Sequence, residues 1–121
     1  MAALYPVRGS HQETTEYVLR ILGAGAATPT KQEGLGMTVS YISTGKYKIT
    51  WAEDPYQFLS AGYGLLPATI GDLKGFSVEF EAYNSTTKTM QFQLWNASQS
   101  ATDLATTQRL SIVLKFARTG Y

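Results

Sequence analysis

The chain holds one histidine, His11, no cysteine, and nine Asp and Glu residues. Those residues bound the chemistry open to it. A serine or cysteine relay needs an imidazole held in place, and His11 sits in a polar, aperiodic stretch that offers no support. It reads as a solvated side chain. The absence of cysteine removes a thiolate nucleophile, disulfides and thiolate zinc sites together. Glu79 and Glu81 lie two apart on a predicted strand and so share a face. Their separation falls in the range of about 5–9.5 Å used by paired carboxylates in glycoside hydrolysis. The same spacing is also that of a solvated sheet face, which is the reading preferred here. Glu53 and Asp54 beside Pro55 could ligate calcium, but no EF-type spacing surrounds them, and an acidic turn accounts for them. Gly23-Ala24-Gly25 opens like a dinucleotide fingerprint. Thr28 then stands where the third glycine belongs, and no helical pattern follows. Asn84-Ser85-Thr86 and Asn96-Ala97-Ser98 match the glycosylation pattern and read as turn chemistry. No enzyme, no cofactor and no metal site is expected.

Two aromatic residues carry more promise. On simple alternation Tyr83 and Trp95 fall on the sheet side opposite Phe80 and Phe92. An outward Trp with a Tyr nearby is an anchor of the kind interfaces use. The same pair could stack on a sugar, or could be covered within the chain by the N-terminal arm or a second sheet. All three readings stay open at the level of sequence.

The elements that would position these residues are strands. Residues 16–22 (EYVLRIL) form a short β-prone run, and residues 23–36, with four Gly and a Pro, read as a long loop. Leu35, Met37, Val39 and Tyr41 alternate with polar residues, and so do Tyr47, Ile49 and Trp51. A short link ending in Gly45 joins the two runs, which predicts a hairpin with a positive φ at the glycine. Residues 52–56 form a turn around Pro55. Residues 57–66 (QFLSAGYGLL) are apolar and extended, as one strand or two, with Gly62 and Gly64 marking a bulge or a close backbone contact. Residues 67–75 form a loop. Phe76, Val78, Phe80 and Ala82 alternate, turn through residues 84–87, and pair with Met90, Phe92 and Leu94 in a second hairpin. Residues 96–107 are polar, with a single helical turn expected at 103–105. Leu110, Ile112, Leu114 and Phe116 close the chain as a last alternating strand. No segment keeps a period of 3.6 over ten residues. The pattern predicts an all-β antiparallel β-sandwich or jelly-roll-like barrel of about six to eight short strands. Residues 1–14 form an N-terminal arm and residues 15–121 a single β domain.

Composition narrows the partners. The 121 residues suit one domain, and hydrophobic residues make up 44% of them. Only 16% are charged, against about 25% in ordinary domains, which points to a surface with neighbours. The net charge is +1 and the pI about 7.9. Nucleic-acid binders usually carry a basic face and a pI above about 9, so no nucleic acid and no anionic membrane is expected. The first sixteen residues carry Arg8, Glu13 and Glu16 without an apolar core. No secretory signal is therefore expected, and synthesis is placed in the cytoplasm.

Residues 38–51 (TVSYISTGKYKITW) resemble a hairpin of small tailed-bacteriophage structural proteins. Residues 74–78 (KGFSV) share that resemblance, as does the Asp103-Leu104-Ala105 step before the strand from Leu110 to Phe116. The similarity covers about residues 17–118 and is to capsid decoration, or head cement, proteins. The resemblance implies a virion structural protein on the capsid surface, a homotrimer seated where major capsid subunits meet. The arm, with Tyr5, Arg8 and His11, and the outer sheet face, with Tyr83 and Trp95, would then form the interface. A tail or fibre component and a carbohydrate-binding β module are the alternatives.

Overall fold

The computed structural model describes residues 14–117. Eight strands follow in order: β1 (Thr14–Leu22), β2 (Thr30–Glu33), β3 (Met37–Ser43), β4 (Lys46–Trp51), β5 (Gln57–Leu66), β6 (Ser77–Phe80), β7 (Thr89–Trp95) and β8 (Arg109–Ala117). They form two antiparallel four-stranded sheets, ordered β2-β1-β8-β5 and β3-β4-β7-β6. Two separate sheets packed face to face make a sandwich, not a closed barrel, and no helix occurs among the described residues.

Alternation explains the packing. Along β7 every second residue is buried, namely Met90, Phe92 and Leu94. β8 buries Leu110, Ile112, Leu114 and Phe116 in the same rhythm. Both strands are central in their sheets, so their inner faces meet across the sandwich, where each large apolar side chain contributes about 1.5–3 kcal/mol. Aromatic rings join the layers at one end. Trp51 meets Tyr17 at a centroid distance of 5.9 Å and Phe116 at 5.3 Å, edge to face.

The β3–β4 hairpin forms as expected, with Gly45 at φ 70°. A side chain there would collide with carbonyl oxygens of Leu94 and Thr102 at 2.8 and 2.6 Å. The Gly45 N–H donates to the Asp103 carboxylate at 2.7 Å. The segment between β7 and β8 thereby caps the core, and it buries Leu104, whose N–H donates to the Tyr47 hydroxyl at 2.9 Å.

Several expectations need correction. The long loop at 23–36 contains strand β2, which pairs with β1. Leu35 lies in the turn after β2 and is exposed, not part of the inward set. Residues 57–66 form one strand, and its bulge falls between Phe58 and Ser60, not at the glycines. The 103–105 step is not helical; the turn comes at residues 106–107. Gly23, read as part of a flexible loop, is packed closely instead, because a Cβ there would lie 2.1 Å from the Ala105 carbonyl oxygen. Thr14, assigned to the arm, opens β1 and pairs with Ala117.

Candidate interaction surface

Trp95 and Tyr83 part company in the structure. β6 and β7 pair regularly from Ser77 opposite Trp95 to Phe80 opposite Phe92. A further bridge then joins Asn84 to Thr89. Three residues, 81–83, lie between those points on one side, and only Met90 and Gln91 on the other. The extra residue is a bulge, and a bulge swaps which face the following side chain takes. Ala82 therefore loses the inward place that alternation assigned it, and Tyr83 takes it. The Tyr83 ring packs edge to face on Phe116 at 5.2 Å and on Trp51 at 5.4 Å. Its expected position opposite Phe80 and Phe92 is thus overturned.

The Tyr83 hydroxyl donates to Asp54 Oδ1 at 2.7 Å, and the Tyr56 N–H donates to the same oxygen at 2.9 Å. Burial, then the bond to Asp54, pushes the Tyr83 hydroxyl well above its ordinary range. The same bond, followed by that from Tyr56, holds the Asp54 carboxyl below its own. Asp54 is therefore a fastener for the β4–β5 connection, where Tyr56 is held at φ 75°. Among the described residues no group of three or more His, Cys, Asp or Glu could hold a metal ion.

Trp95 stays on the outer face of the β3-β4-β7-β6 sheet. Its indole N–H donates to Glu79 Oε1 at 3.1 Å. Glu79 is a diagonal neighbour, because its cross-strand partner is Gln93 and that of Trp95 is Ser77. The bond fixes the ring against the sheet. Lys46, one strand further, pairs with Gln93. Together with Glu81 and Gln91 these residues line an open groove of about 420 Å³. Gln93 Nε2 donates to the Thr44 carbonyl at 3.1 Å, which anchors that wall of the groove. The arrangement can offer a flat aromatic surface, amides and both signs of charge. Glu79 and Glu81 both line it, and Glu79 is committed to the indole.

Tyr5, Arg8 and His11 lie outside the described residues. Lys46, Gln91 and Gln93 were not singled out from sequence. Their signal was present in the polar half of each alternation, but the β4–β7 pairing that gathers them was not readable. The two sequon-like triplets are turns. The Asn84 carboxamide oxygen accepts from the Thr86 and Thr87 N–H groups, and that of Asn96 from Ser98 and Ser100. Compared with known proteins, the chain matches no family model, no curated protein and no solved structure.

Proposed function

We propose that this chain is a virion structural protein, a capsid decoration module that binds the assembled major capsid lattice and stabilises it. The resemblance of residues 38–51, 74–78, 103–105 and 110–116 supports that partner, and the low charge of the chain fits a life among neighbours. The observation that carries the adhesive part is Trp95, oriented by Glu79 on a flat, polar-rimmed outer face. Buried Trp anchors dominate binding energy at interfaces, often at 2 kcal/mol or more each, or about thirtyfold in affinity. Binding to the lattice and not to free subunits stabilises the particle by mass action. In the test, purified protein is added back to particles that lack it. Wild type should restore resistance to heating, and Trp95→Ala should need at least tenfold more protein to do so. Equal resistance with and without the protein would refute the cement role, and imaging on the particle separates the head from a tail or fibre position.

The groove also favours a second reading, a carbohydrate-binding module. An aromatic face beside amides and carboxylates suits a hydroxyl-rich ligand, although Tyr83 cannot share the work because it faces the core. Glycan binding lost in Trp95→Ala, with rebinding to particles unchanged, would select this reading over the first.

A further inference from the structure

The longest strand is one of two that bury no residue. β5 runs ten residues and pairs with β8 along nearly all of them, yet none of the ten is buried. It carries no charged residue. It stands at the end of its sheet, so its second edge has no partner strand among the described residues. A long, uncharged edge presents a row of backbone donors and acceptors to any passing strand, and folded proteins usually blunt such edges with charge, proline or shortness. The other edge of the same sheet is blunted in that way: β2 has four residues, two of them Lys31 and Glu33. β6, beneath β5, has four and includes Glu79.

We propose that β5 docks on the β5 of a second copy, antiparallel about a two-fold axis at Tyr63, joining the two four-stranded sheets into one of eight strands. The bulge after Phe58 leaves residues 60–66 (SAGYGLL) as the regular run, and its centre, Gly62-Tyr63-Gly64, reads the same in both directions. Tyr63 meets Tyr63 across the axis, an aromatic cross-strand pair. Gly62 faces Gly64, and Gly64 faces Gly62, on the outer side. Neither glycine has an atom within 4 Å of where its Cβ would stand, so nothing crowds the joint there. Ala61 meets Leu65, small against large. Charge gives no opposition, because the run that an isologous contact would pair with itself has no ionisable group but Tyr63. Tyr63 is 42% and Leu66 47% exposed, and pairing would cover apolar surface on both. Seven residues a side is well short of the 20–30 in a standard interface, so the association is a concentration-dependent equilibrium. A two-fold dimer also differs from the threefold arrangement implied by the decoration-protein resemblance.

The test uses the full chain. In sedimentation equilibrium the wild type should shift with concentration from 13.3 kDa toward twice that mass. The double variant Gly62→Lys, Gly64→Lys places lysines opposite one another across the axis and should weaken dimerisation at least tenfold. The register has its own readout, because the chain has no cysteine. A mixture of Gly62→Cys and Gly64→Cys proteins should form the mixed disulfide at least tenfold faster than either alone. Thr38→Cys, on the edge strand of the other sheet, should not cross-link above background. A wild type that stays monomeric up to millimolar concentration would overturn the proposal. So would a trimer insensitive to the lysine variant, or cross-linking equal to that of Thr38→Cys. Each outcome is independent of particle binding, so the decoration reading can fail while this one stands.

Discussion

β5 and β8 are hydrogen-bonded neighbours, both mostly apolar, and they live in opposite environments. β8 buries five of its nine residues, and β5 buries none of its ten. The reason is position. β8 lies between β1 and β5, with its inner face against the aromatic cluster of Trp51 and Tyr83. β5 lies at the margin, over a β6 of only four residues, and the centroid contact of Tyr63 with Phe80 is a loose 6.4 Å. An apolar strand is buried only when a second layer is there to meet it. Where that layer is short, the same residues become surface.

The sharpest attempt to break this comparison places a carboxylate in each strand. Ile112→Asp in β8 puts a charge where the side chain is wholly buried, with several kcal/mol of desolvation and no partner. Loss of the native circular dichroism spectrum is expected. Tyr63→Asp in β5 should fold and cost less than about 2 kcal/mol. If both unfold, β5 belongs to the core after all.

A smaller contrast uses two glycines. Gly45→Ala forces a left-handed φ and a collision with two carbonyl oxygens, for a loss of at least about 1–2 kcal/mol in urea unfolding. Gly62→Ala meets nothing and needs no unusual φ, so it should be neutral or stabilising by up to about 1 kcal/mol. Equal losses would mean that β5 is covered in solution.

The smallest effect concerns the end of the core that β8 shares with Tyr83. The Asp54 carboxyl is lowered, first by the Tyr83 hydroxyl. Unfolded, it titrates near ~4. Its contribution is therefore present above that pH and is lost as pH falls through the lowered folded value. The Tyr83 phenol is raised, against about 10 when unfolded, so its contribution is present below that pH and fades as pH rises beyond it. The stability gap between wild type and Tyr83→Phe should be a plateau at neutral pH that narrows in acid and in alkali. A gap independent of pH would show that the hydroxyl–carboxylate bond does not form in solution.

Much of this fold is legible in the chain because one local rule governs it. Met90, Phe92, Leu94 and Leu110, Ile112, Leu114, Phe116 announce strands with one buried face, and Ser43-Thr44-Gly45 announces the turn that joins β3 to β4. The rule fails where spacing is not regular. One extra residue between Phe80 and Asn84 turned Tyr83 from the outer face to the core, and no side-chain pattern marks it. β2 was hidden for a different reason: its residues TKQE are all exposed, so they carry no apolar period to read.

By itself, then, the order of side chains determined an all-β body and most of its strands, because a strand's alternation depends only on neighbours along the chain. It also determined the low charge and the lack of a thiol. Beyond the two hairpins, which strands lie side by side was decided by the tertiary structure alone, since β1 with β8 and β4 with β7 are pairings between residues far apart in sequence. From that pairing come the Trp95 groove, the inward turn of Tyr83 and the bare edge of β5, none of which a local pattern can carry.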